Sequence, residues 1–185
     1  RVAAYAYEFF EDGEGRFPLA KAGGEIAGRL AVLYGAYFLQ ASQGGAGLLL
    51  GNAGDEPRVR VLVIGSGNVG GAAVELAAQQ NSLVTVLCSS ARSCELYAAK
   101  APIGVRVLEN SPGILATEIS AADLVIGAIR ISTYDTPPMV TENMVKSMRQ
   151  GAVIVDVTCG YGPGYMPTFT QATSLHAPVY ERFGV

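Results

Sequence analysis

Between residues 59 and 156 the chain alternates short apolar runs with longer mixed segments. Val59-Arg60-Val61-Leu62-Val63-Ile64 is β-branched and almost continuously apolar, as a strand covered on both faces would be. Leu83-Val84-Thr85-Val86-Leu87, Val105-Arg106-Val107-Leu108, Asp123-Leu124-Val125-Ile126-Gly127-Ala128 and Ala152-Val153-Ile154-Val155-Asp156 repeat the pattern. The segments between them read as helices: a small-residue helix over 69–80, and others over 92–99, 113–121 and 141–149, with Thr141 as an N-cap. Ala177-Pro178-Val179-Tyr180 is a candidate short last strand. Strands alternating with helices, with crossovers of about a dozen residues or more, predict a parallel sheet with helices on both faces. Upstream, Ile26, Leu30, Leu33 and Tyr37 recur at the helical period, and Glu25 stands four residues before Arg29, so 25–41 reads as a long helix. Gly44 and Gly45 offer its left-handed cap. The aromatic-rich residues 1–20 read as a surface arm. The expected organisation is an arm and linking helix over 1–45, then a domain over 46–185.

The first strand ends in Gly65-Ser66-Gly67-Asn68-Val69-Gly70, and a helix follows directly. Alone, the GxGxxG spacing says little. Between a buried strand and a helix, inside a βαβ unit, it is the fingerprint of a dinucleotide-binding turn. Gly65 permits the tight turn, Gly67 lets the backbone approach a pyrophosphate, and Gly70 lets the helix pack closely on the strand. The phosphates meet free N–H groups at the positive end of the helix dipole. The fold class is therefore α/β, a Rossmann-type doubly wound parallel sheet with an N-terminal arm and long helix. A tight turn with no ligand is the alternative reading of the motif.

The end of the second strand bears on which nicotinamide cofactor binds. NAD-binding versions place Asp or Glu there for the ribose hydroxyls. This chain has Cys88-Ser89-Ser90-Ala91-Arg92, with no carboxylate. Nothing there repels a 2′-phosphate, Ser89 and Ser90 can donate to it, and Arg92 can pair with it. The reading favours NADP(H) over NAD(H). A decayed site, or an Arg92 that merely starts a helix, stays open beside it. Asn110, after the third strand, sits where such folds touch the adenine or its ribose.

Composition removes other classes. The net charge is −3 with no run of like charges, against a nucleic-acid footprint. No apolar stretch is long enough for a bilayer span. Three cysteines, Cys88, Cys94 and Cys159, without framework spacing read as reduced thiols in a cytoplasmic protein. One histidine and no Cys-x-x-Cys leave no expected metal site. The chain begins at Arg1 and reads as part of something longer. His176 is a candidate general base, set against a bland loop histidine without an orienting acid. Asp156 is a second catalytic candidate, with a bond to a nearby loop amide as the favoured reading. Cys159 carries no sign of a stabilised thiolate, and Asp123 reads as a turn cap.

Several stretches carry a family likeness. They are Gly24-Glu25-Ile26-Ala27-Gly28-Arg29-Leu30-Ala31, Gly44-Gly45-Ala46-Gly47-Leu48-Leu49-Leu50-Gly51, the Gly65–Gly70 turn and Ala122-Asp123-Leu124-Val125-Ile126-Gly127-Ala128. Gly151-Ala152-Val153-Ile154-Val155-Asp156-Val157 adds a fainter fifth. In this order, and almost end to end, the set resembles the alanine dehydrogenase and pyridine nucleotide transhydrogenase family. The resemblance implies a cofactor domain set between two halves of a catalytic domain, whose substrate-binding Arg, Lys and His have no counterpart here. It implies that the helix over 25–41 joins domains and builds homo-oligomers. The family's ribose Asp falls at Cys88, its helix-start Ser at Gly24, and its catalytic-side Asp at Gly160. Its aliphatic pair flanking the cofactor falls at Ile129 and Arg130, just after Ala128, and Asn110 matches a family Ser. The implied function is the NAD(P)(H)-binding part of an oxidoreductase for an amino-acid-like amine or imine, the small-molecule substrate being held by another domain. The alternative is a degenerate, non-catalytic Rossmann module used for cofactor sensing or oligomerisation.

Overall fold

The computed structural model describes residues 2–51, 54, 58–129, 139–158 and 173–185. Strands β1 (Arg60–Ile64), β2 (Leu83–Cys88), β3 (Arg106–Glu109), β4 (Leu124–Gly127) and β5 (Val153–Asp156) form one sheet in the order β3-β2-β1-β4-β5. Every pairing is parallel, and Val63 sits between Val86 on one side and Ile126 on the other. The helices are α1 (Pro18–Phe38), α2 (Asn68–Gln79), α3 (Ala91–Ala98), α4 (Pro112–Ala121) and α5 (Glu142–Lys146). This is the doubly wound Rossmann-type sheet, and its strand order reverses between β1 and β4.

The period of two along each strand sorts side chains into two cores. Val61, Val63, Val84, Val86, Cys88, Leu124 and Ile126 pack with α1, α2 and Tyr97 of α3. Leu62, Ile64, Leu87 and Val125 pack on the other face with Leu115 and Ile119 of α4 and Val145 of α5. Burying each such aliphatic side chain is worth about 1.5–3 kcal/mol relative to exposure. The near-continuous apolar character of β1 follows from having a core on both sides.

The N-terminal region differs from the sequence expectation in three ways. The helix begins at Pro18, where proline has no N–H to leave unpaired and its fixed φ suits the first turn, so it takes in the end of the expected arm. It stops at Phe38, and the left-handed Gly44 (φ +88°) caps a separate 3₁₀ turn over Ala41–Gln43. Its large apolar residues Ile26, Leu30, Leu33 and Tyr37 point outward and are exposed. The buried face is instead Gly28, Ala31, Val32 and Gly35. A Cβ on Gly28 would overlap the Val69 carbonyl oxygen and come within 3.0 Å of the Ala73 nitrogen, so small residues are what let α1 lie tight against α2.

Further corrections are local. The helix expected over 141–149 is short, ending at Lys146. No strand forms over 177–180; Ala177 makes only an isolated antiparallel bridge with Ser174. The last residues turn back on α5 instead. The Gly151 N–H donates to the Gly184 carbonyl at 2.7 Å, and Lys146 lies 4.5 Å from the Phe183 ring centroid. Asp123 is buried ahead of β4, accepting from the Arg60 N–H at 2.8 Å and from Arg149 at 2.7 Å. It fastens the amino ends of β1 and β4 together, which is a structural duty.

Candidate functional site

The glycine turn lies at the carboxyl end of β1, beside the end of β4, at the point where strand order reverses. In open α/β sheets that crevice is where ligands bind. Gly65 has φ +109°, a region costly for residues with a Cβ, and a Cβ there would lie 2.6 Å from the Ala128 carbonyl oxygen. The turn is held on both sides: the Gly65 N–H donates to Leu87 and the Ala128 N–H to Ile64, both at 2.9 Å. Gly70 is buried, and a Cβ on it would overlap the Gly65 carbonyl oxygen. Gly67 is the opposite case. It is exposed, and a Cβ built on it meets no described atom within 4 Å beyond its chain neighbours. Each glycine thus has its own reason: backbone conformation at 65, helix-to-strand approach at 70, and open space at 67.

The N-terminus of α2 distinguishes this turn from its neighbours. The helices α3, α4 and α5 are capped by the hydroxyls of Ser90, Ser111 and Thr141. The N-cap of α2 is Gly67, which has no side chain to offer, and no side-chain cap is made. The first N–H groups of α2, at Asn68, Val69 and Gly70, therefore have no side-chain cap and stand at the positive end of the helix dipole. Ser66 and Asn68 flank the tip, and Val69 is half-buried against α1. A Cβ on Gly24 of α1 would come within 3.0 Å of Asn68 Cβ, so α1 buttresses the turn from the side. The glycine pair at 24 and 28, four apart on a helix, was the sequence signal for this close approach.

The corner after β2 is more closed than its sequence suggests. Cys88 is in register with Val84 and Val86, so its thiol points into the core beneath α3 and is fully buried. The Ser90 hydroxyl accepts from the Ser93 N–H at 3.2 Å, and the Ser93 hydroxyl takes the Ser90 N–H at 2.9 Å, a reciprocal capping box. Ser90 is thus committed to starting α3. Ser89 is exposed, 3.4 Å from the Ser93 hydroxyl, and Arg92 is exposed and ion-paired with no described residue.

Other site residues fall as follows. The Asn110 N–H donates to the Cys88 carbonyl at 2.8 Å, and its amide nitrogen lies 2.9 Å from Met139 sulfur. Its Oδ1 is buried, with no hydrogen-bond partner among the described residues. Ala128 and Ile129 follow β4 at the crevice, Ala128 buried and Ile129 packed on the second core. Arg130, Cys159 and Gly160 lie outside the described residues. Asp156 Oδ1 accepts from the backbone N–H and the hydroxyl of Thr158, at 2.9 and 2.7 Å. His176 is exposed in a turn closed by reciprocal Ser174–Ala177 backbone bonds, with no described carboxylate bonded to it. Among the described residues no three metal-ligating side chains converge, and no helix is long and apolar enough to cross a membrane. A groove at the opposite, amino edge of the sheet is lined by Arg60, Thr85, Arg106 and Glu118. There Glu118 already grips Arg106 with two bonds, of 2.9 and 3.1 Å.

A parallel sheet with this strand order, and a glycine turn opening an uncapped helix at its switch point, defines the Rossmann class of dinucleotide-binding folds. Comparison with known proteins narrows the class. The family described as "Alanine dehydrogenase/PNT, C-terminal domain" matches residues 31–185. The chain is 35% identical over 185 residues to an alanine dehydrogenase of Staphylococcus epidermidis, covering 100% of this chain and 50% of that protein. It is 36% identical over 184 residues to the alanine dehydrogenase of Bacillus subtilis, covering 100% and 48%. A solved L-alanine dehydrogenase superposes with a TM-score of 0.89 at 34% identity, over 97% of this chain and 49% of that one. The transhydrogenase from Sinorhizobium meliloti shares the fold at a TM-score of 0.60 and 23% identity, over 74% and 40%. The chain belongs to the alanine dehydrogenase/pyridine nucleotide transhydrogenase family, as a C-terminal domain of that type. It spans about half the length of the curated relatives it matches.

Proposed function

We propose that this domain binds a nicotinamide dinucleotide, NADP(H) in preference to NAD(H), within an oxidoreductase acting on an amino-acid-like amine or imine. The observation that carries the reading is the open space at Gly67, above the uncapped N–H groups of α2. A diphosphate fits there: it needs several backbone donors, a favourable dipole and no Cβ in the way. The amides of residues 65–70 would hold the pyrophosphate. Asn110 would meet the adenosine, its buried Oδ1 being an acceptor that lacks a donor. Ala128 and Ile129, with Arg130, would border the nicotinamide side. When bound, the cofactor supplies hydride exchange at the nicotinamide ring, and the protein's part is to hold and orient it.

The preference for NADP(H) rests on the corner after β2, where there is no carboxylate. Exposed Arg92 and the Ser89 hydroxyl are the groups left to meet a 2′-phosphate, Ser90 being taken up by its capping box. The substrate would be held by segments outside this chain, as its half-length match to alanine dehydrogenases suggests. The exposed stripe Ile26, Leu30, Leu33, Tyr34 and Tyr37 on α1 fits a homo-oligomer contact. The free thiols of Cys88 and Cys94 fit a cytoplasmic setting.

One observation favours a second reading, a module that has lost cofactor use: the Cys88 thiol is turned into the core. Mixing the purified protein with NADPH, and separately with NADH, decides between the two. Enhanced cofactor fluorescence, or a raised melting temperature, is expected for the first reading. No change with either cofactor supports the module.

A further inference from the structure

The first residue of α2 is an asparagine that the helix itself does not call for. Asn68 follows the Gly67 N-cap, one place too late to cap α2. It is exposed, and its carboxamide makes no hydrogen bond with a described residue. Asparagine is a weak helix former. The side chain that a helix dipole favours in the first turn is an acid, and α2 carries none there. Neither helix propensity nor a local bond accounts for this residue.

Its surroundings bring the side chain to the mouth of the helix. On a helix each Cα–Cβ bond tilts toward the N-terminus, so from the first position the side chain leads toward the open end. On one side α1 bounds it closely. A Cβ on Gly24 would lie 3.0 Å from the Asn68 Cβ and 3.5 Å from the Val69 nitrogen. Glycine at 24 leaves the root of Asn68 just enough room. On the other side the neighbouring Gly67 borders open space.

We propose that the Asn68 carboxamide donates through Nδ2 to the diphosphate of the bound dinucleotide, beside the backbone amides of the turn. The inference rests on the dinucleotide reading of this turn and adds a side chain to its diphosphate contacts. A diphosphate offers only acceptors, and a carboxamide supplies two N–H donors without charge. An aspartate of the same shape would suit the helix dipole better but would repel the ligand. Asparagine at this place serves the ligand rather than the helix. The diphosphate is common to NADP(H), NAD(H) and ADP-ribose, so this contact adds affinity without choosing between cofactors, unlike Arg92.

The test compares wild type, Asn68→Ala and Asn68→Asp by isothermal titration with NADPH, NADH and ADP-ribose, and by melting each protein without ligand. Losing a hydrogen bond to a charged partner should raise all three dissociation constants about tenfold in Asn68→Ala. Asn68→Asp should raise them about a hundredfold or more, with a penalty that shrinks as salt is added. Yet Asn68→Asp should melt at or above the wild-type temperature, because an acid suits the first turn. A purely structural asparagine would not move stability and affinity in opposite directions. Wild-type affinity in Asn68→Ala would overturn the role of Asn68 and leave the dinucleotide reading intact. So would an Asn68→Asp penalty no larger than that of Asn68→Ala, or losses accompanied by lowered melting temperatures in both variants. A wild-type protein that binds none of the three ligands would overturn the dinucleotide reading, and this inference with it.

Discussion

Gly70, at the start of α2, lies so close to the carbonyl oxygen of Gly65 that a Cβ on it would overlap that atom. Backbone on both sides of the contact is fixed by the sheet and the helix, so nothing can give cheaply. Gly70→Ala should therefore lower stability by about 1–3 kcal/mol, which for a domain of this size is roughly 2–12 °C in melting temperature. Calorimetric melting of the two proteins side by side checks this. An unchanged melting temperature would mean that helix and strand are not in contact as described.

Gly28 offers a test in which two effects have opposite signs. In an exposed helix interior, Gly→Ala gains about 1 kcal/mol from helix propensity. At Gly28 the new methyl would meet the Val69 carbonyl oxygen on α2. The overlap should win, so Gly28→Ala should destabilise in urea denaturation. A stabilised variant would show that α1 stands further from α2.

Alkaline stability should depend on Tyr97. Burial first, then the nearby Glu75 and Cys88, push its hydroxyl from 10.0 to about 12. The unfolded chain releases this proton near pH 10, whereas the folded chain holds it to about pH 12. The tyrosine contribution is thus fully present below pH 10 and is lost as pH rises to about 12. Over that window it amounts to about 3 kcal/mol at most. Tyr97→Phe should flatten this part of the stability curve relative to wild type, read by denaturant melts at pH 9, 10 and 11. Parallel curves would contradict the assignment.

Arg92 tests the cofactor preference separately from the fold. It is exposed and carries no described ion pair, so Arg92→Ala should fold normally. Loss of a charge-assisted contact with a 2′-phosphate should weaken NADPH binding by about tenfold or more and leave NADH binding unchanged. Equal losses for both cofactors, or none, would remove Arg92 from that role.

What the sequence made legible follows from what is local. The strand β1 and the turn after it could be read because an apolar run, three spaced glycines and a small-residue helix are all contiguous. The α1 stripe was legible as a period but not as a face. Periodicity marks Ile26, Leu30, Leu33 and Tyr37 as one side of a helix; only the packing of Gly28, Ala31 and Val32 on α2 turns that side outward. Cys88 was legible as the residue ending β2. That its thiol points into the core beneath α3 depends on the register of β2 and the placement of α3, which its place in the sequence does not reveal. Asp123 depends on Arg60 and Arg149, both distant in the chain. The expected strand at 177–180 failed because the segment lacks a partner strand among the described residues, and the chain end packs on α5 instead.

Gly67 tests the central claim most directly, since a Cβ there meets no described atom within 4 Å beyond its chain neighbours and leaves that space to a ligand. Isothermal titration of wild type and Gly67→Ala with NADPH and NADH should show wild type binding NADPH more tightly than NADH. Gly67→Ala, an N-cap change costing about 1 kcal/mol or less, should stay folded and melt within a few degrees of wild type, yet lose about tenfold or more in affinity for both cofactors. Wild-type affinity in Gly67→Ala, or no heat with either cofactor in wild type, would contradict the account.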